Sequence, residues 1–196
     1  MPKMILPIVA YGASILREVA QPISQDFPDL DMLISNMWDT MYASNGVGLA
    51  APQINKGIRL FVVDSLQVIE SLEDDEKEEY PGDNGIKTVF INPIIESYEG
   101  DDWPYNEGCL SIPKIREDVM RPESIVMSWV DENFQPHKQT FTGISARIIQ
   151  HEYDHLEGKL FIDYLSPMKR RLMKNKLEDI SKGKVRMDYR MLVVKN

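Results

Sequence analysis

ISARIIQHEYDHLEG, residues 144–158, is the stretch whose reading decides the fold. Ile144, Ile148, His151 and His155 recur at helical spacing and share one face. Gly158 follows as a stop signal, so the pattern predicts a helix from Ile144 to Leu156. Its two imidazoles lie one turn apart and can point at one ion. Glu152, beside the first, can reach a water at that ion. Ile144 and Ile148 continue the same face and bury the site.

Working outward, Leu30, Leu33, Ile34, Met37, Trp38, Met41 and Tyr42 form one apolar stripe. They predict a second helix over Pro28 to Ala43, with the proline in its first turn. Ile58 to Asp64 and Val89 to Ile95 read as strands. So do Ser124 to Asp131 and His137 to Thr142, joined by the turn-rich Glu132-Asn133-Phe134-Gln135-Pro136. A last helix is expected from Pro167 to about Ser181, ending at Gly183. The 196 residues show no internal repeat and no linker. The expected fold is therefore α+β: a single domain over residues 1–196, with antiparallel strands packed around a central HExxH helix, and a C-terminal helix.

The net charge is −9, in a chain with 43% hydrophobic and 27% charged residues, an ordinary globular composition. That charge is unevenly spread. Residues 70–79 hold seven acids and one lysine, whereas residues 166–196 hold ten Lys and Arg against three acids. Like charges repel, so the acidic stretch (70–85) is expected to be a solvated surface insertion, dispensable for catalysis. The acidic balance argues against DNA as a partner. No apolar run is long enough to span a membrane, and Met1 to Pro7 lacks the apolar core of a signal peptide. A lone cysteine, Cys109, fits a reducing cytoplasmic setting.

Cys109 lies in Glu107-Gly108-Cys109-Leu110-Ser111, expected to be a loop between strands. A catalytic metal site needs a third protein ligand and an open position. No histidine lies downstream of His155, so Cys109 is the better third ligand than the His or Glu a metalloprotease would use. A mixed Cys/His set suits iron, zinc, nickel or cobalt and not magnesium or calcium. Gly46-Val47-Gly48-Leu49-Ala50-Ala51-Pro52-Gln53 reads as a loop where backbone runs close to another body. It lacks the lysine and hydroxyl of a phosphate loop. Gln53 at its exit offers an amide donor to an oxyanion.

Taken together, GVGLAAPQ (46–53), EGCLS (107–111) and QHEYDHLEG (150–158) resemble the three signature motifs of the peptide deformylases, in that family's order. Ile8 to Gly12 also fits the family's N-terminal pattern, and the similarity spans residues 1–165. The 70–85 insertion and the tail after the last helix depart from it. The resemblance implies a hydrolase that removes the N-formyl group from the N-terminal methionine of new polypeptides, releasing formate. It implies that Cys109, His151 and His155 bind one Fe²⁺, for which Zn²⁺, Ni²⁺ or Co²⁺ can substitute. Glu152 would be the general base, with the Gln53 amide and the Leu110 backbone N–H facing the oxyanion. Gly48 would contact the substrate backbone, and Val47, Leu49 and Ile148 would line the methionine pocket. A silent metal-binding scaffold and a protease of internal bonds are the alternatives. The resemblance also suggests ribosome docking through the basic segment 166–196. Against that stands a solvated helix face packed by Leu165, Met168, Leu172 and Leu177.

Overall fold

The computed structural model describes residues 4–194. In chain order the elements are β1 (Ile8–Val9), α1 (Leu30–Ala43), β2 (Gly48–Ala50), β3 (Leu60–Asp64), the short helices α2 (Leu66–Ile69) and α3 (Asp74–Lys77), β4 (Lys87–Cys109), β5 (Ile112–Val130), β6 (Pro136–Thr142), α4 (Gly143–Leu156), α5 (Pro167–Ser181) and β7 (Met191–Leu192). Strands β2 to β6 form one antiparallel sheet in sequence order, and β1 pairs with β7 in parallel.

β3 shows why the sheet is central. All five of its residues are buried, because both faces are covered. Phe61 and Val63 join Phe90, Ile125 and Phe141 beneath Ile144, Ile148 and Ile149 of α4. Leu60 and Val62 turn the other way, onto Met37 and Met41 of α1. Alternation along one strand thus clamps α1 and α4 on opposite faces of the sheet. A third cluster seats α5, through Met173, Leu177 and Ile180, against Ile112, Ile115 and Phe161.

The helices and strands expected from periodicity are present, but α1 begins at Leu30 after the N-cap Asp29, which leaves Pro28 outside its first turn, and three further differences of extent stand out. The β4–β5 pair runs far beyond Ile95 and starts well before Ser124, as a ribbon whose residues 96–107 are mostly solvated. Solvated residues carry no apolar alternation, so nothing in the pattern marks them. Residues 48–50, expected as loop, form β2, because Gly48, Leu49 and Ala50 pair with Val63, Val62 and Phe61. That strand exists through its partner, not through propensity. Cys109 is the last residue of β4 and pairs with Ile112 across a tight turn.

The acidic insertion also differs from a free solvated loop. Its acids face water, but its underside is built into the body. Ile69 is buried, and Leu72, Tyr80 and Ile86 pack on the cluster beneath α4. Asp83 reaches the start of that helix, where its carboxylate accepts from the Ser145 N–H at 2.8 Å and the Ser145 hydroxyl at 2.6 Å. Thr142, at the N-cap position, makes no side-chain cap of its own. Asp83 caps α4 from outside. Asp83→Ala should therefore cost about 1 kcal/mol of stability, the worth of a helix cap. Urea denaturation followed by circular dichroism measures this, and an unchanged midpoint would refute the capping role.

Candidate metal centre

Helix α4 is buried nearly all round, with Tyr153 the one residue left partly open. Its polar side chains must therefore find partners inside. Gln150 donates to the Pro122 carbonyl at 3.0 Å, and Arg147 donates to the Val119 carbonyl at 2.9 Å. Asp154 accepts from Arg121 at 2.6 Å and from the Tyr164 hydroxyl at 3.0 Å. These bonds fix the rotation of the helix, and with it the direction of His151 and His155.

The β4 terminus meets that face of the helix. One ligand atom each from Cys109, His151 and His155 lie within 4.8 Å of one another. His155 Nε2 is 3.3 Å from Cys109 Sγ, and the two imidazole rings are 5.2 Å apart and nearly perpendicular. A sulfur and two nitrogens converging at this separation fit one borderline-soft divalent ion. Burial and the neighbouring His151 hold the His155 imidazole well below its usual range, so it is neutral and keeps a lone pair. Burial works against the charge on His151 too, but contacts with Cys109 and Glu107 outweigh it and hold that imidazole well above its usual range. A cation competes for the same site as that proton.

Glu107 is the organising acid behind the trio. It accepts from His151 Nδ1 at 2.9 Å, from Arg121 at 2.7 and 3.1 Å, and from Arg147 at 3.2 Å. Burial alone would raise its carboxyl; the bonds from His151 and Arg121 reverse this and keep it well below the usual carboxylate range. A carboxylate on Nδ1 leaves Nε2 of His151 for the ion, the usual orienting device of metal-bound histidine. Sequence reading assigned Glu107 no role. No periodic signal could have found it, because nothing in the pattern marks this end of β4 as a strand and its register shifts between Gly108 and Cys109.

Glu152 lies over the same cavity, buried, with Oε2 lacking a hydrogen-bond partner among the described residues. Burial pushes its carboxyl up to about 7. A Cβ on Gly48 would sit 2.4 Å from Glu152 Oε1, so only glycine lets β2 pass this close. Gln53 is oriented by the Ala50 N–H, which donates to its Oε1 at 2.8 Å. The amide NH₂ is thereby aimed at Cys109 Sγ (3.5 Å) and the Ser111 hydroxyl (3.4 Å).

These groups open onto one cavity of about 410 Å³. Val47, Gly48, Gln53, Cys109, Leu110, Ile148, His151 and Glu152 line it; His155 lies behind, almost wholly buried. Leu49 does not line it. As the middle residue of β2 it points to the opposite face, into the α1 cluster with Met41 and Val62, which removes it from the methionine pocket expected above. The cavity has further walls that sequence reading passed over: Ile115 from β5, and Met187 and Tyr189 from the tail after α5.

Residues 5–171 match the family model for polypeptide deformylases. The peptide deformylase of Christiangramia forsetii is 50% identical over 188 residues, 96% of this chain and 95% of that protein. That of Flavobacterium psychrophilum is 48% identical over 191 residues, 97% of this chain and 98% of its own. The crystal structure of a peptide deformylase from Legionella pneumophila superposes with a TM-score of 0.77 at 36% identity, covering 94% of this chain and 99% of that one.

Proposed function

The chain belongs to the polypeptide deformylase family, a hydrolase that removes the N-formyl group from N-formyl-methionyl peptides, and from that premise we propose how its residues divide the work. The observation that carries the assignment is the meeting of Cys109, His151 and His155 beside Glu152, with Cys109, His151 and Glu152 lining one cavity and His155 behind it. Cys109, His151 and His155 would hold one divalent ion. We propose Fe²⁺, with Zn²⁺, Ni²⁺ or Co²⁺ able to replace it. When bound, the ion supplies a Lewis acid that makes water acidic enough to lose a proton near neutral pH.

The remaining work falls to the chain's own groups. Glu152, raised by burial, accepts the proton of the attacking water and returns it to the departing amine nitrogen as the formyl C–N bond breaks. The products are formate and a free amino terminus. The Gln53 amide and the Leu110 N–H stand where negative charge develops on the formyl oxygen. Val47 and Ile148 offer apolar wall to the methionine side chain, and Gly48 offers backbone to the peptide. An extended peptide read through its backbone suits an enzyme that accepts many sequences.

The test is formate release from formyl-Met-Ala-Ser by protein purified without oxygen. Release that a chelator abolishes and added Fe²⁺ restores, with acetyl-Met-Ala-Ser untouched, is the expected result. Cleavage of the acetylated or an internal bond, or no formate at all, would overturn the assignment. Metal analysis of the same preparation reads the identity of the ion.

We further propose that the enzyme works in the cytoplasm at the ribosome, docked through α5. Among the described residues no helix is long and apolar enough to cross a membrane. Lys169, Arg170, Arg171 and Lys174 are exposed along α5. Leu165 and Leu177 are buried, but Met168 and Leu172 are 74% and 79% exposed, so they do not pack the helix down as the alternative required. Binding to RNA phosphate releases counterions, so co-sedimentation with ribosomes should fall steeply with salt. Replacing the four basic residues with Ala should weaken it and leave hydrolysis of the free tripeptide unchanged. Co-sedimentation indifferent to salt and to these replacements would remove the proposal.

A further inference from the structure

The segment after α5 lies beyond residue 171, where the family match ends, yet it returns to the metal-site turn. Gly183, at φ +69°, reverses the chain after the helix. Val185, Met187 and Tyr189 then face inward and half-buried, while Lys184, Arg186, Asp188 and Arg190 face water. β7 follows and pairs with β1, Ile8 against Met191 and Val9 against Leu192. Ile8 donates to the Arg190 carbonyl at 2.8 Å and Ala10 to the Leu192 carbonyl at 2.9 Å. Residues 8–10 and 190–192 thus form one ladder.

That ladder holds the turn between β4 and β5 by two successive carbonyls. The Tyr11 N–H, just past β1, donates to the Ser111 carbonyl at 2.8 Å. The Tyr189 hydroxyl, just before β7, donates to the Leu110 carbonyl at 2.8 Å. Restraining both carbonyls fixes the peptide planes on either side of residue 111. Little freedom then remains at Leu110, which lines the cavity together with its neighbour Cys109. The Tyr189 ring lines the same cavity and packs beside Leu110. Anchoring the tail needs only the strand pairing; the hydroxyl adds a bond aimed at the turn.

We propose that Tyr189 is a positioning residue for deformylation, its hydroxyl holding the Leu110 carbonyl so that the Leu110 N–H and Cys109 keep a fixed register against α4. The proposal rests on the reading that these two groups serve the reaction. Tyr189→Phe removes the one donor and keeps the ring. Loss of a hydrogen bond that orients a reacting group should lower kcat roughly tenfold, with KM for formyl-Met-Ala-Ser within about twofold. Amide hydrogen exchange over residues 109–112 should quicken by about the same factor, a readout independent of turnover. Exchange at residues 185–192, metal content and melting temperature should stay unchanged.

Unchanged kcat and unchanged exchange at 109–112 would overturn the proposal. So would a loss of kcat accompanied by a falling melting temperature and faster exchange at 185–192, which would make the bond a mere strap for the tail. A rise in KM alone would make Tyr189 a wall of the cleft and equally overturn it. If wild-type protein releases no formate, the functional reading fails instead, while the exchange experiment still reports on the clamp.

Discussion

Glu152→Gln is expected to keep its metal and lose about a thousandfold in kcat, the middle of the range that a positioned acid–base group contributes. The amide has the carboxylate's shape, so it still fits in the space beside Gly48, where even a methyl group would collide. It has no basic oxygen with which to take a proton from water, and none to return to the amine. The three proposed metal-binding side chains are untouched, so metal content measured on the purified variant should match wild type. That equality is what makes the rate loss interpretable. Full turnover in a metal-loaded variant would dismiss Glu152 as the base.

Glu107→Ala should be the most damaging change to stability. Arg121 and Arg147 are 3% and 1% exposed, and each bonds Glu107. Removing the acid strands two guanidinium groups with much of their compensation gone. Breaking a buried ion pair from one side costs about 3–5 kcal/mol. It would also free His151 Nδ1, and loss of such an orienting acceptor typically weakens metal binding roughly 10–100-fold. Urea denaturation of the metal-free protein reads the first effect, and competition with a chromogenic chelator reads the second. A variant with wild-type stability would show that Arg121 and Arg147 are held by Asp154 and the backbone carbonyls alone.

Much of this was legible beforehand, for reasons that differ by element. α1 carries apolar side chains at helical spacing because it buries one face against the sheet, and Ile144 and Ile148 keep the same spacing where α4 meets it, so both patterns are visible without the sheet. His151, Glu152 and His155 share a helix, so their nearness is local and follows from periodicity. Cys109 comes from a strand distant in sequence, and only residue chemistry and family resemblance linked it to them. β2 and β1 stayed hidden, since short strands made of few residues depend on partners elsewhere in the chain. Leu49 was misplaced because its strand was read as loop, which conceals the alternation that turns it away from the cavity. The acidic run was read by its charge, and its charge does describe its outer side. The contacts of Ile69, Tyr80 and Asp83 beneath it are made by single residues with no repeating pattern to betray them.

The pairing of β1 with β7 also bears on the order in which the protein can be made. A ribosome delivers Ile8 and Val9 some 180 residues before Met191 and Leu192. For most of synthesis β1 has no strand to join. Contacts between the two ends of a chain are slow to form and leave their surfaces open meanwhile. The parts of α4 and the sheet can assemble before β7 is made, but the ladder that grips the turn after Cys109 must await it. A fragment cut short before residue 189 would carry every proposed metal-binding side chain and still lack both β7 and the bond from Tyr189. Synthesis therefore completes the grip on this turn only after every proposed metal-binding side chain has been made.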